Sequence, residues 1–174
     1  MDRDALREAV KRHRLWLDGR DPEGRADLSG SDLSGRDLSN LRLHGADLSR
    51  ANLDGANLSH TGLSRARLRC ASLRMAELFW CDLRFADLQH AVLTGADLSL
   101  STLKGADLDG AILDGATLCS VDLEGANLTD VSLKGVRFDV DNPALVAAVL
   151  GPLARTDPRK ASWVEWMVVR SELD

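Results

Sequence analysis

The sequence has few aromatic residues and few of the residues that build disulfide or metal sites. Only 4% of its 174 residues are aromatic, and tyrosine is absent. Cys70, Cys81 and Cys119 are an odd number of cysteines at no metal-like spacing, which indicates neither a disulfide framework nor a zinc site. Any core must therefore consist of small and medium-sized aliphatic side chains, and we expect no metal and no cofactor.

Basic charge and long apolar runs are also scarce. The formal net charge of −5 argues against direct binding to nucleic acid, which normally requires a net basic surface. No stretch approaches the roughly 18 apolar residues of a membrane span, and the N-terminus lacks the basic start and apolar run of a signal peptide. We therefore expect a cytoplasmic protein with protein partners and no membrane association.

What the sequence does contain is an unbroken repeat of five residues. Counting in fives from Leu28 to Phe138 gives 23 consecutive positions, of which 22 are leucine. Alanine stands two residues before this central residue in 14 of the repeats, and the residue between the two is usually Asp or Asn. A period of five matches neither the 3.6 residues of an α-helix nor the two of a β-strand, so the chain must turn at every repeat.

Four such repeats close one square coil, in which each side points its leucine and its small residue inward. Stacked coils would lie about 4.8 Å apart, the spacing of hydrogen-bonded strands. Glycine occupies the second position after the central leucine in ten repeats, and a type II turn needs a positive φ there, so we predict type II corners at these glycines. The sequence thus predicts an all-β solenoid over residues 26–140, a quadrilateral β-helix.

This unit, Ala-(Asp/Asn)-Leu-x-x, resembles the pentapeptide-repeat family, and the resemblance implies that the β-helix is right-handed. Within that family, the quinolone-resistance members are dimeric acidic rods that bind DNA gyrase or topoisomerase IV in place of duplex DNA. The resemblance therefore implies a non-catalytic DNA mimic that protects or modulates a type II topoisomerase. On this interpretation the partner would contact an acidic column formed by Asp47, Asp87, Asp97 and Asp107.

Enzymatic activity is not expected, because the repeat itself explains the abundance of polar residues. Asp and Asn before the central leucine can hydrogen-bond to nearby backbone at the turn. Chance groupings of Asp, Ser and His will then occur without forming an active site. The chain has no phosphate-binding loop, nucleophile elbow or metal motif.

The third coil departs from the pattern, because its corners are Cys70, Met75, Trp80 and Phe85 where other coils mostly have glycine or polar residues. We call this region the waist and predict that it binds a partner protein, as an alternative to the acidic column. It consists of Arg65, Arg67, Arg69, Arg74, Met75, Phe79, Trp80, Arg84 and Phe85. A second explanation is that these side chains lie flat and shield a stretch without type II turns. A small-molecule site at the waist is a third and weaker alternative.

Helices are predicted at both flanks, where stacked coils need covering. In residues 1–25, Asp4 is predicted to cap a helix running from Ala5 to Leu17 that covers the first coil. The first coil has Arg36 and Leu41 in inward positions, which suits an open end of the rod. Residues 141–174 are predicted to form two short helices. The second is so apolar that it either is buried between the first helix and the rod or meets another copy, and we predict a homodimer through Trp163, Trp166, Met167 and Val168.

Overall fold

The computed structural model describes residues 1–139, which form one helix followed by a four-sided coil. Helix α1 spans Arg3–Leu17. From Ala26 onward the chain turns at every repeat, and each residue lies beside the one four repeats later in the next coil. The predicted C-terminal helices and the dimerisation residues Trp163, Trp166, Met167 and Val168 lie outside the described residues.

The coils are joined by parallel bridges of single residues, with no longer strand among residues 1–139. Arg67, for example, bridges Asp47 in the coil before and Asp87 in the coil after. Its N–H donates to the Ala46 carbonyl at 2.9 Å, and its own carbonyl accepts from the Leu48 N–H at 2.7 Å. Each side of the square contributes one bridging residue to the sheet on its face. The sheet therefore extends from coil to coil along the rod axis, and the chain crosses it once in each coil.

The corners are tight turns, as the glycine pattern predicts. The Ala46 N–H donates to the Leu43 carbonyl at 3.0 Å, and Gly45 between them has a φ of 71°. This hydrogen bond and the positive φ of the third residue define a type II turn. All 22 corners from Gly30 to Gly135 have a positive φ, and twelve of these residues are not glycine.

The waist keeps this geometry, so the interpretation that it shields a stretch without type II turns is wrong. Cys70, Met75, Trp80 and Phe85 have φ values from 54 to 57°. A side chain in this left-handed region costs about 1–2 kcal/mol because its Cβ crowds the following carbonyl. The four bulky corners of the third coil are therefore conformationally unfavourable compared with glycine.

The interior is a stack of leucines and alanines. Every central leucine from Leu28 to Leu118 is at most 2% exposed, and the inward alanines of these coils are also buried. Each fully buried leucine side chain contributes about 1.5–3 kcal/mol relative to an exposed one. The same contacts between leucines and alanines recur in each of these coils, so the stabilisation from burial is spread along the rod.

One inward column differs in having polar residues, Thr61, Cys81 and Ser101, in three successive coils. All three are buried. Each donates to the carbonyl of a leucine in the coil before: Thr61 to Leu38 at 2.7 Å, Cys81 to Leu58 at 2.8 Å and Ser101 to Leu78 at 2.5 Å. Buried polar groups are tolerated where they are hydrogen-bonded in this way.

Helix α1 begins two residues earlier than predicted. Asp2, not Asp4, is the N-cap, because its carboxylate accepts the Ala5 N–H at 2.8 Å, whereas Asp4 lies in the first turn. Leu6, Ala9 and Val10 of the helix pack against the core cluster of the coils. The helix therefore lies against the start of the rod.

The two unusual inward residues of the first coil are accommodated at this end. Leu41 is partly buried against the core cluster. The Arg36 guanidinium donates to the Met1 carbonyl at 3.3 Å, so its charge reaches the N-terminal segment and is not enclosed. The Met1 ammonium in turn donates to the Asp32 carbonyl at 3.3 Å.

His13 joins α1 to the first repeat. It is fully buried, its ring stacks on Trp16 with centroids 5.2 Å apart, and its Nδ1 accepts the Ala26 N–H at 3.0 Å. Burial lowers the pKa of His13 below its usual value, and the positive charges of Arg25 and Arg42 add to this, with the His44 backbone opposing. The junction therefore requires a neutral imidazole.

This junction should weaken in acid. A histidine whose pKa is lowered by folding stabilises the fold fully above its unfolded pKa of about 6.5, and that contribution falls as pH decreases through this value. We expect the melting temperature of the wild type to fall more between pH 7.5 and pH 5 than that of His13→Asn. The asparagine amide oxygen can accept the same Ala26 N–H but does not titrate. Thermal unfolding of both proteins across this range tests the assignment, and equal pH dependence would refute it.

Two corner glycines give a matched test of packing at the turns. Gly105 and Gly115 have similar φ values of 66 and 70°, but a Cβ at Gly105 would lie 2.6 Å from the Phe85 ring, whereas Gly115 has open space. We expect Gly115→Ala to cost about 1–2 kcal/mol through backbone strain alone. Gly105→Ala should cost more, and adding Phe85→Ala should remove the excess. Equal melting temperatures for the two alanine variants would contradict this.

Candidate functional site

The rod has four faces, which we number by the first repeats, so that residues 26–30, 31–35, 36–40 and 41–45 begin faces one to four. Each face continues at every fourth repeat, as the bridges Asp27↔Asp47 and Asp47↔Arg67 show for face one. This register decides which of the predicted site residues lie together.

An apolar ridge runs along the corner between faces three and four. It consists of His60, Phe79, Trp80 and Leu100, where His60, Trp80 and Leu100 are corner residues of successive coils. Phe79, Trp80 and Leu100 are 37%, 57% and 46% exposed. The His60 ring meets Phe79 and Trp80 edge-on, with centroids 5.9 and 5.7 Å apart. Three large apolar side chains thus face solvent at adjoining positions.

The other two bulky corners of the waist lie over glycines of the next coil. The thioether of Met75 covers Gly95, and the ring of Phe85 covers Gly105. Met75 nevertheless remains 69% exposed and Phe85 57% exposed. Each side chain thus extends along the rod over the glycine of the next coil, but most of its surface remains exposed to solvent.

The arginines of the waist do not surround the aromatic residues as the sequence predicts. Arg67 and Arg69 lie on face one and Arg74 on face two, whereas Phe79 lies on face three. The physical reason is the four-repeat coil, which places residues two repeats apart on opposite faces. The waist therefore has an arginine side and an aromatic side.

Two further arginines lie closer to aromatic residues, and each has an intramolecular partner: Arg84 is on face four, and Arg65 is at the corner between faces four and one. Arg84 forms two hydrogen bonds of 2.8 Å with the Asp82 carboxylate. The pKa of Asp82 is lowered mainly by this contact. The Arg65 guanidinium lies 5.9 Å from the centroid of the Phe85 ring, within the range of a cation–π contact.

The predicted acidic column is only partly confirmed. Asp47, Asp87 and Asp107 share face one, but Asp97 lies on face three between Glu77 and Thr117, so it does not belong to that column. The column is also interrupted, because Arg67 stands between Asp47 and Asp87 and pairs with Asp47 at 3.3 Å.

Hydrogen bonds hold the carboxylates of this column in place. Asp107 accepts from the Gln89 amide, from the Asp109 N–H at 3.2 Å and from the Asn127 amide at 2.9 Å. Partial burial acts to raise the pKa of Asp107, but these donors outweigh it and lower the pKa. Asp107 is therefore ionised at neutral pH.

His60 and Leu100 are not among the predicted waist residues, although the register could have identified them. Each stands four repeats from Trp80, one before it and one after, which places both in the neighbouring coils at the same corner. Leu100 is the clearer signal, because a corner with positive φ favours glycine and a large apolar side chain there is not needed to form the turn.

Three observations within residues 1–139 bear on metal binding and catalysis. No cluster of three potential metal ligands occurs there. On face four, the His44 Nδ1 lies 2.8 Å from the Ser64 hydroxyl, and both side chains are half-buried. Burial raises the pKa of Cys81 to about 12, so this thiol is not a nucleophile.

The comparisons identify the class of protein. The profile of pentapeptide repeats matches in eight copies over residues 26–64, 46–84, 81–118 and 101–139. Because these matches cover well over half of the chain, it belongs to the pentapeptide-repeat family. No curated protein sequence matches the chain.

Solved structures of the same family are similar to this one. A pentapeptide-repeat protein from the cyanobacterium Cyanothece 51142 is 32% identical, with coverage of 74% of this chain and 93% of that one and a TM-score of 0.53. A pentapeptide-repeat protein of the Arabidopsis thaliana thylakoid lumen is 33% identical, covering 70% and 77%, with a TM-score of 0.47. QnrB1, a plasmid-mediated fluoroquinolone resistance protein, is 23% identical, covering 72% and 65%, with a TM-score of 0.48.

These findings make the solenoid a right-handed β-helix. Membership of a fold family does not by itself select a partner. Among residues 1–139, no helix has the length and apolar character needed to cross a membrane.

Proposed function

We propose that this protein is a non-catalytic scaffold that binds a partner protein through the apolar ridge. The observation that carries the proposal is the exposure of Phe79, Trp80 and Leu100 at one corner of successive coils. Large exposed aromatic and aliphatic residues that lie together are typical of protein contact sites, where they dominate the binding energy.

The backbone supports this proposal independently. Trp80 and Leu100 have φ values of 57 and 61°, where glycine is the most favourable residue. The ridge therefore retains bulky residues at a conformational cost, and the only aromatic contacts that Trp80 makes among residues 1–139 are with His60. A role in binding would account for that choice.

Affinity capture from a lysate of the source organism tests the proposal when a matched control is included. Immobilised protein is compared with Trp80→Ala and with Ile112→Ala, an exposed apolar residue on face two. We expect a specific partner to be retained by the wild type and by Ile112→Ala, and to be reduced at least about tenfold by Trp80→Ala, as for a hot-spot residue. Equal retention by all three proteins would reject the ridge as the binding site.

A second candidate is that the rod modulates a type II topoisomerase by imitating DNA. The observation that favours it is the segregation of charge, since residues 86–139 contain nine Asp and Glu but only three Lys and Arg. Carboxylates held along a rigid rod can engage the Lys and Arg that otherwise bind phosphates. The interruption at Arg67 restricts this acidic surface to the later coils.

A gyrase or topoisomerase IV supercoiling assay separates the two candidates. Asp87→Asn, Asp97→Asn and Asp107→Asn together remove charge while keeping a side-chain oxygen that can accept the turn hydrogen bonds. If the acidic surface binds the enzyme, this variant should lose inhibition or quinolone protection, and the effect of the wild type should weaken with salt. If the ridge is the contact, Trp80→Ala should lose the partner and the Asn variant should not.

We also propose that the protein is a homodimer through its C-terminal segment. The apolar composition around Trp163 and Trp166 is the support for this proposal. Deleting residues 156–174 should convert the dimer to a monomer or an aggregate. Sedimentation that shows only monomer for the intact chain at high micromolar concentration would reject it.

A further inference from the structure

Four arginines cluster on face one in the second and third coils. They are Arg50, Arg65, Arg67 and Arg69, and we call them the arginine patch. Arg67 and Arg69 lie within face one, while Arg50 and Arg65 occupy the corners on either side of it in the coil before. The Arg50 N–H donates to the Arg69 carbonyl at 2.9 Å, which shows how closely the two coils are joined. All four side chains are exposed.

Neighbouring groups neutralise this patch only in part. Asp47 pairs with Arg67 at 3.3 Å, and the Arg69 guanidinium donates to the neutral amide of Gln89. Within residues 1–139, Arg50 and Arg65 form no ion pair. A protein of net charge −5 therefore holds four like charges together with only Asp47 in ion-pair contact, an arrangement that favours an anionic partner.

The length of the patch limits what that partner can be. Two coils span only about 10 Å along the rod. On the same face, Asp27 lies in the coil before the patch, and Asp87 and Asp107 lie in the two coils after it. A long polyanion such as a nucleic-acid strand would run onto these carboxylates and be repelled, whereas a short acidic peptide would not.

We propose that the arginine patch is a second binding site, which takes a short acidic segment of a protein. It lies on the arginine side of the waist, away from the apolar ridge, so this site does not depend on the ridge being a contact. Guanidinium groups bind carboxylates through paired N–H donors, which suits Glu and Asp side chains. The rod would then hold two protein segments at different faces of the same coils.

Fluorescence polarisation with a fluorescein-labelled triglutamate peptide, which spans about 10 Å when extended, tests this site in the full chain at low salt. We expect binding that weakens as salt increases, and an affinity on the order of tenfold lower for the double variant Arg50→Gln, Arg65→Gln. The double variant Arg3→Gln, Arg7→Gln changes the net charge equally on α1 and should bind as the wild type does. Trp80→Ala should also bind normally, which separates this site from the ridge.

Four results would overturn the proposal. The first is no peptide binding by the folded protein at low salt, and the second is an equal loss in the α1 control, which would indicate nonspecific attraction. The third is tighter binding of a short DNA duplex than of the peptide. The fourth is sedimentation showing self-association that Arg50→Gln, Arg65→Gln abolishes, because the patch would then bind a second copy.

Discussion

Replacing Leu88 with arginine is expected to abolish soluble folding. Leu88 is 1% exposed in the fourth coil, and leucines of neighbouring coils lie directly before and after it. A guanidinium there would be enclosed without a partner. The free energy cost of burying an unpaired charge exceeds the free energy of unfolding of a typical domain, which is about 5–15 kcal/mol. Arg36 escapes this cost only because its guanidinium reaches Met1 beside α1.

The measurement is the soluble fraction after expression, followed by thermal unfolding of whatever is soluble. Leu88→Met serves as the control, since a swap of similar volume should cost less than about 1.5 kcal/mol. A soluble Leu88→Arg protein with the melting temperature of the wild type would show that Leu88 does not belong to a closed core.

The second large effect is expected in the buried polar column. The Ser101 hydroxyl donates to the Leu78 carbonyl at 2.5 Å and accepts the Cys81 N–H at 2.8 Å. Ser101→Ala removes both hydrogen bonds inside the core and leaves the Cys81 N–H and the Leu78 carbonyl only their 3.3 Å turn bond to each other, a loss we expect to cost about 1–3 kcal/mol. For a protein of this size each kcal/mol corresponds to about 2–4 °C in melting temperature.

Ser99→Ala is the matched control for this experiment. Ser99 lies on the surface of face three, where its hydroxyl bonds to Asp97. Exposed substitutions of this kind usually change stability by less than about 0.5 kcal/mol. Comparable destabilisation by the two substitutions would mean that the polar column contributes nothing beyond an ordinary surface serine.

The repeat predicts the coil because its signal is strong and redundant. Leucine at every fifth position permits only a chain that turns at each repeat, and the glycines indicate the turn type, so the four-repeat coil follows from the sequence. The helix boundary is less predictable, since Asp2 and Asp4 are both suitable N-caps. Only the bond from the Ala5 N–H to Asp2 distinguishes them.

The candidate sites are harder to predict because they depend on which residues share a face. Residue type groups Asp97 with Asp87 and Asp107, although an offset of two repeats places it on the opposite side of the rod. Conversely, Leu100 belongs with Trp80 because the two are separated by one full coil. Side-chain pairing, such as Arg67 with Asp47, also depends on rotamers that the repeat does not determine.

The apolar ridge is the central claim, and restoring the regular repeat at that corner tests it most directly. The variant Phe79→Ser, Trp80→Gly, Leu100→Gly replaces the exposed apolar residues by the serine and glycine that the repeat has elsewhere. It removes the strain of two left-handed corners, about 1–2 kcal/mol each, while losing the aromatic contacts with His60 and the partial burial of Phe79 and Trp80, effects of opposite sign.

Thermal unfolding of this variant is the decisive measurement. If the ridge is retained for binding and is dispensable for folding, the melting temperature should stay within a few degrees of the wild-type value or rise, as the opposing effects imply. A fall of more than about 10 °C, equivalent to several kcal/mol, would show that these side chains stabilise the coil, and would contradict the claim that the ridge is retained for binding and not for folding.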